Sequence, residues 1–290
     1  MKRLLFALLI IAAIVFGIWL IVIPSSLIIH QIENSLHRSD LQGEITGFKK
    51  GLFFNFTSQN IILKKHDNTL LSLDNVVGNM NPLSLFMMRL TLTFHGDISG
   101  GKITGNVNLL KGKNHMNVNI DNANVDGIPL FGVIGLNGKG TLSGEFRLRD
   151  GVGDLKLSIK DAQFENTSFS GVVIPVNLFQ SATGAMTIDG DLVRISSLSL
   201  QGDDFYARVK GNIKKNVMDL TLELMQNSSS TDKASLLFLL ENYKVSPGYY
   251  VIPLRSNVPF YLFSTSHIFL TQEQLFCKML SYQIEQGRLQ

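Results

Sequence analysis

The sequence predicts a mainly β protein, in which an N-terminal transmembrane helix is followed by a long, curved antiparallel sheet of successive hairpins with short helices. Three observations predict this fold: an unbroken apolar run at the N terminus, many short stretches of alternating apolar and polar residues, and turn residues between those stretches. The chain has 290 residues. Beyond the N-terminal run, that length leaves room for one large or two small domains.

The N-terminal run predicts a membrane anchor. Lys2 and Arg3 precede the uninterrupted apolar residues 4–23, and Pro24 ends the run. A helix of that length rises by about 30 Å, which matches the apolar core of a bilayer. The alternative is a cleaved signal peptide, whose apolar region is usually about 7–15 residues long and precedes a small-residue cleavage site. The longer run and the absence of such a site favour an uncleaved anchor.

The charges around this run predict its orientation. Lys2 and Arg3 belong on the cytoplasmic side by the positive-inside rule, and Trp19 fits an interfacial aromatic residue near the other end. The chain after Pro24 is therefore expected outside the cytoplasm. The resulting division is a cytoplasmic tip (1–3), a transmembrane helix (4–24), a helical stalk (25–40), a periplasmic β-domain (41–226) and a C-terminal segment (227–290). That last segment holds a helix, a closing strand from Tyr249 to Leu254 and a tail.

The clearest predicted hairpin lies between Gly138 and Asp161. Apolar and polar residues alternate on both sides of Asp150-Gly151, a dipeptide that favours a tight hairpin turn because glycine accepts the positive φ the turn requires. Together with the preceding hairpin, these strands predict one apolar face made of Met116, Val118, Ile120, Phe146, Leu148, Leu155, Leu157 and Ile159. Alternation alone does not distinguish an open groove from a closed core, so both remain open.

Departures from regular alternation predict local features. The apolar phase moves from Ile195 to Leu198, which indicates a β-bulge. Short helical or irregular pieces are expected at 83–88 and 128–134, and longer helices at 234–243 and 272–286.

Catalytic and ligand-binding patterns are missing from the sequence. The six histidines are scattered, and the one cysteine, Cys277, has no catalytic signature around it. The stretch 135–141 departs from the phosphate-binding loop pattern, and 122–133 lacks the final glutamate of a calcium loop. A net charge of +3 is too small to indicate nucleic-acid binding. We therefore expect no enzymatic activity, cofactor, metal or nucleic-acid partner.

Four ordered motifs carry a family resemblance. They are the segments 81–85 (NPLSL), 94–105 (FHGDISGGKITG), 136–144 (LNGKGTLSG) and 195–202 (ISSLSLQG). With the N-terminal anchor, this set resembles the type II secretion system protein N family (general secretion pathway protein N), which is related to the AsmA-like envelope proteins. The resemblance covers about residues 1–255 and stops before Pro259. It implies a bacterial inner-membrane subunit with a periplasmic β-domain, and no catalytic residues.

Two functional hypotheses follow from this resemblance. In the first, the chain is a structural subunit of a type II secretion system that contacts other secretion-system subunits. In the second, it is an AsmA-like module for lipid handling or lipid transfer, with phospholipid as a further partner along an apolar groove. A solvent-exposed apolar strip larger than a few hundred Å² would favour the second hypothesis.

Overall fold

The computed structural model describes residues 41–257 apart from 53, 66–67, 82–89, 111–112, 170–171, 175, 215–216 and 227–239. It also describes positions 17, 25, 26, 29, 30 and 33, which are helical. The predicted transmembrane helix as a whole, the helices expected at 83–88 and 272–286, most of 234–243 and the tail lie outside the described residues. Among the residues that the structure does describe, no helix is long and apolar enough to cross a membrane.

The described chain forms one antiparallel sheet of 15 strands, whose order follows the sequence as successive hairpins do, except that β2 pairs with β3 beside β1 and β16 lies outside β17 at the edge. Its strands are β1 (Gln42–Thr46), β2 (Lys49–Lys50), β3 (Asn55–Lys65), β4 (Asn68–Met80), β5 (Leu90–Ile98), β6 (Gly101–Leu110), β7 (Lys113–Asn124), β8 (Gly138–Arg149), β9 (Val152–Phe164), β12 (Ser181–Asp189), β13 (Leu192–Gln201), β14 (Phe205–Lys214), β15 (Val217–Gln226), β16 (Lys244–Ser246) and β17 (Tyr249–Asn257). A separate two-stranded piece consists of β10 (Thr167–Phe169) and β11 (Val172–Ile174). The mainly β prediction and the succession of hairpins are confirmed.

The hairpin predicted between Gly138 and Asp161 consists of β8 and β9. Phe146 lies opposite Leu155, and the turn residues Asp150 and Gly151 have φ values of 51° and 90°. Two successive positive φ values are those of the type I′ turn, whose twist matches that of the flanking strands. The turn residues therefore account for the register of this hairpin.

Several β-bulges interrupt the alternation. The bulge expected between Ile195 and Leu198 is present where β13 pairs with β14. Further register shifts occur around Asn75, Asn122 and Asp161, which have φ values of 51°, 53° and 52°. Asparagine and aspartate adopt this left-handed conformation more readily than most residues, because their short polar side chains form local hydrogen bonds.

The sheet has one apolar and one polar face. We call the face that carries Phe146 the inner face and the opposite one the outer face. Two groups of buried side chains lie on the inner face. One is built around β4–β9 and includes Ile98, Ala123 and Ile159, and the other is built around β12–β17 and includes Phe205 and Ile252.

The two ends of the strands differ. At the end that we call proximal, the chain joins the sheet, because Gln42 of β1 pairs with Lys64 near the end of β3. The opposite end, which we call distal, includes Asn257, the last residue of β17, which pairs with Val217. The longer connections 125–137 and 165–180 lie at the proximal end and 81–89 at the distal end. Two-residue turns lie at both ends, at 66–67 and 99–100 proximally and at 111–112, 150–151, 190–191 and 215–216 distally.

The connection from β7 to β8 covers part of the inner face at the proximal end. It contains a 3-10 turn, Val125–Gly127, and a short helix, α1 (Pro129–Val133). Val125 and Ile128 are buried in the group around β4–β9, and α1 contacts β4. Pro129 favours a helix start at this point, since its φ is already helical and its missing N–H would have no helical partner. The short helical piece expected at 128–134 is confirmed.

Candidate functional site

The strand register places all eight residues of the predicted apolar face on the inner face. Val118 lies opposite Phe146, and Phe146 lies opposite Leu155 on the next strand. Met116 likewise lies opposite Leu148. Residues directly opposite each other on neighbouring strands point to the same side of a sheet, so these side chains form continuous rows across β7, β8 and β9.

The burial of these eight residues is uneven. Leu148 and Ile159 are fully buried, whereas the other six are only half-buried. Half-buried apolar residues continue on the strands to either side. We call the whole half-buried set the apolar strip; it consists of Leu92, Phe94, Val107, Met116, Val118, Ile120, Phe146, Leu155, Leu157, Met186, Ile195 and Leu198. Water therefore reaches part of this apolar surface, whereas an entirely closed core would exclude water from it.

Glycines on the inner face shape the floor of the strip. Gly105 lies directly opposite Phe94, and a Cβ atom at Gly105 would come within 2.2 Å of the Phe94 ring. Leu157 lies between two glycines, since it is opposite Gly144 on β8 and Gly184 on β12. Large side chains therefore extend over the backbone of neighbouring glycines. Because glycine has no side chain, the surface of the strip lies closer to the backbone at those points.

The proximal end of the strip is covered. Beneath the β7–β8 connection, Ala123, Leu142 and Ile159 form a fully buried row across β7, β8 and β9. At the distal end of β6 and β7, Val107 and Met116 remain half-buried. The strip is therefore closed at the proximal end and accessible towards the distal end on these strands.

The outer face carries the charges. Cross-strand ion pairs join Lys210 to Glu223 and Arg255 to Asp219, the latter with an Nε–Oδ1 distance of 3.0 Å. The Arg255–Asp219 pair is exposed, and exposed pairs contribute about 0–1 kcal/mol to stability. Between β5 and β15, no charged side chain lies on the inner face among the residues that the structure describes.

One group of outer-face side chains perturbs a carboxylate. The Lys102 ammonium donates a hydrogen bond to Asp97, and the Asn75 amide donates a second at 2.9 Å. These two bonds, with the larger effect from Lys102, hold the pKa of the Asp97 carboxyl below its usual range. Asp97 is half-buried on β5 opposite the bulge of β4, so the bonds order this bulged pairing and do not build a buried reactive centre.

The chemistry that this arrangement supports is apolar binding. In the parts of the chain that the structure describes, no three His, Cys, Asp or Glu side chains are grouped so that they could hold a metal ion.

The anchor residues Lys2, Arg3 and Trp19 lie outside the described residues. Sequence reasoning missed the flanking members Leu92, Val107 and Met186, although their alternation within β5, β6 and β12 was available as a signal.

Together the fold and the strip define an architecture: a long antiparallel sheet with a charged outer face and a partly accessible apolar inner face. Comparison of the chain with protein-family models, with curated proteins and with solved structures found no match.

Proposed function

We propose that this chain is a non-enzymatic protein of the bacterial inner membrane whose apolar strip binds the acyl chains of phospholipids. Its N terminus is cytoplasmic and its sheet lies in the periplasm. The observation that supports the proposal is that adjacent apolar side chains on seven strands stay half-buried, since contiguous apolar surface that water reaches is typical of ligand and partner sites.

The dimensions of the strip suit an acyl chain. It crosses seven neighbouring strands from β5 to β13, and strands about 4.8 Å apart give a length of about 29 Å. One leaflet contributes about half of the roughly 30 Å apolar core of a bilayer, so an acyl chain needs about 15 Å. The strip therefore has room for an acyl chain of ordinary length.

The polarity of the strip supports the same ligand. An acyl chain bound along it meets only apolar side chains and glycine backbone, since the charged partners Glu145 and Lys156 lie on the outer face. Binding would then remove apolar surface from water on both molecules without burying a charge. Such burial contributes about 25 cal/mol per Å² of apolar area.

The test places a carboxylate on the strip and, as a matched control, on the adjacent outer-face residue. The variants are Leu157→Asp and Ser158→Asp, both in the full-length protein purified in mild detergent. Ser158 is half-buried and opposite Ser143 and Thr183 on the outer face, so a new carboxylate there is off the strip and does not directly oppose a charge. We expect Leu157→Asp to stay folded and to lose most of its co-purified phospholipid, measured by mass spectrometry, and Ser158→Asp to retain it.

Two outcomes would contradict acyl-chain binding. If Leu157→Asp unfolds while Ser158→Asp does not, the carboxylate has entered a closed core, where an uncompensated charge costs several kcal/mol. If Leu157→Asp is folded and carries as much phospholipid as the unaltered protein, the lipid binds elsewhere. Circular dichroism of both variants distinguishes these two outcomes.

A second candidate function is that of a type II secretion system subunit acting by protein–protein contact. It is supported by the four ordered motifs and by the edge of the sheet at β17. In the described part of the chain, β16 pairs only with Tyr249 and Tyr250 of β17, which leaves Val251 to Asn257 with no strand partner on that side. An edge of this kind can accept an extended segment of another protein.

The same preparations distinguish the two functions. A secretion subunit that co-purifies equally with the unaltered protein, Leu157→Asp and Ser158→Asp would indicate a contact away from the strip. Loss of phospholipid from Leu157→Asp with the protein partner retained would mean that the chain does both.

A further inference from the structure

We propose that the β7–β8 connection also makes a peripheral contact with the bilayer surface, through Val133 and Ile134 at the end of α1. The inference rests on the membrane anchoring included in the proposed function, but not on lipid binding by the apolar strip. The occupant of this surface is the headgroup and upper acyl region of the membrane that holds the N-terminal anchor.

The exposure of these two residues is the first observation. The side of the connection that faces the sheet is packed: Leu130 and Phe131 contact the buried group around β4–β9. Val133 and Ile134 point away from that group and are 43% and 38% exposed. In the described fold, these two adjacent branched apolar residues add no buried contact at the tip, and polar residues would interact better with water there.

The absence of charge around the tip is the second observation. Residues 127–138 contain no charged side chain, and neither do residues 166–188. Part of the second segment adjoins the first, because the Thr167 hydroxyl donates a hydrogen bond to the Gly135 carbonyl at 3.0 Å. Uncharged stretches of two neighbouring connections, which follow Asp126 and Glu165, therefore lie together at the proximal end.

The distal end carries charges in its two-residue turns, namely Lys111, Asp150, Asp191 and Lys215, whereas the proximal end carries Asp67, Asp203 and Asp204 in turns away from the β7–β8 connection. Insertion of any of these charges into the acyl region would be costly. The distal connection 82–89 is more apolar in sequence than these turns. The experiment therefore also measures membrane contact at the distal end.

The path of the chain indicates that the partner of this tip is the membrane. The chain joins the sheet at Gln42, which pairs with Lys64 at the proximal end, and α1 contacts β4, two strands from β1. Two strand spacings are about 10 Å. The tip of α1 therefore lies near the point at which the chain arrives from the apolar run 4–23.

The stalk between the run and the sheet permits this contact. In sequence, residues 25–40 place Leu27, Ile28, Ile32 and Leu36 at the spacing typical of one side of a helix. A helix with one apolar side lies in the plane of the interface, with that side about 5–10 Å into the headgroup boundary. A stalk in that plane would bring β1, and with it the proximal end, to the membrane surface.

The test compares the two ends of the sheet with one probe. In full-length protein carrying Cys277→Ser, an environment-sensitive NBD fluorophore is attached to Val133→Cys or, as the control, to Val217→Cys. Val217 is a 54% exposed valine at the distal end. Each protein is reconstituted into phosphatidylethanolamine–phosphatidylglycerol vesicles, in which some lipids carry a doxyl quencher high on the acyl chain. Because interfacial residues lie within about 5–10 Å of the headgroup boundary, we expect at least about twofold stronger quenching at 133 than at 217.

A second variant checks the origin of the quenching. Ile134→Asp in the Val133→Cys protein should reduce quenching to the level at 217, because a carboxylate does not enter the acyl region. Retained quenching in that variant would contradict insertion of the tip.

The remaining outcomes distinguish this inference from the anchoring on which it rests. If neither probe is quenched while the protein stays with the vesicles after a carbonate wash, the anchor holds and the inference fails. If the protein washes off, the anchoring fails and the inference fails with it. Equal quenching at both positions would mean that the sheet lies flat on the bilayer, which overturns contact through the proximal end alone.

Discussion

Individual glycines on the inner face determine where large side chains can lie. Phe94 extends over Gly105, and Phe56 extends over Gly78 in the same way, with each glycine directly opposite its phenylalanine. A side chain at either glycine would occupy the volume that the ring now fills. These glycines are therefore required for packing, although glycine alone weakens a strand.

At the residue scale, we predict that Gly105→Ala destabilises the protein. The added Cβ would lie 2.2 Å from the Phe94 ring, so the ring must move. Overpacking of this kind costs about 1–3 kcal/mol, measurable as a lower midpoint of urea unfolding.

Gly132→Ala in α1 is the matched control for Gly105→Ala. The nearest atom to its added Cβ is Asn137 Oδ1, at 3.8 Å. It should leave the midpoint unchanged or raise stability by about 0.4–1 kcal/mol through the unfolded state. Equal midpoints for Gly105→Ala and the unaltered protein would show that the Phe94 ring is not held against this glycine.

The face on which each side chain lies was predictable from the period-two alternation, but only up to the β-bulges. All eight residues of the predicted face share one side because no bulge falls inside the stretches that contain them. Beyond Ile120, continued alternation would place Asn122 inward, whereas Asn122 takes a positive φ and Ala123 is the buried residue. A bulge depends on the partner strand as well as on local sequence, so the pattern of one strand does not locate it.

At the element scale, the connection between β7 and β8 is the part of the fold that acts as a cover. Its residue Ile128 is buried between the sheet and α1, and Val125 is buried beside it. These contacts join the cover to the group around β4–β9, whereas the group around β12–β17 has its own buried residues. Loosening the cover should therefore affect one half of the sheet.

We predict that Ile128→Ala loosens this cover. Truncation of a buried isoleucine costs about 2–5 kcal/mol, from lost burial and the cavity left behind. Hydrogen exchange measured by mass spectrometry should become faster in residues 125–137 and remain unchanged in β14 and β15. Ile134→Ala is the control, since Ile134 is exposed in the same connection. Faster exchange in β14 and β15 as well would mean that the two buried groups unfold as one unit.

The existence of α1 was predictable, but its packing was not. Pro129 and the change in periodicity indicate a short helical piece between two strands. Contact between α1 and β4 joins residues far apart in the chain, and no local pattern encodes such a distance. Similarly, the two-stranded piece of β10 and β11 was not predicted, because strands of three residues give too little alternation to recognise.

At the scale of the whole molecule, we predict that the chain crosses the inner membrane once. A reporter enzyme that works only in the periplasm, fused after Gln290, should be active, and a cytoplasmic reporter at the same point should not. The purified protein should retain Met1 or its near neighbours. A mature N terminus near Ser25 would instead indicate a cleaved signal peptide.

The order of strands was predictable at this scale because each hairpin places consecutive strands side by side. The accessibility of the inner face was not. A half-covered face and a closed sandwich require the same alternation, since both need one apolar side on each strand. The half-buried state of Val118 and Leu155, beside the buried Leu148, depends on what the connections cover.

The chain joins the sheet at the proximal end and leaves β17 at the distal end, because it crosses the sheet from one end to the other an odd number of times between Gln42 and Asn257. We call each such crossing a pass. Gain or loss of a hairpin adds or removes two passes and keeps the outgoing chain on the distal side, whereas loss of one strand would return it to the proximal side. Changes in the length of such a sheet can therefore keep the end of the last strand on the distal side only in steps of two strands.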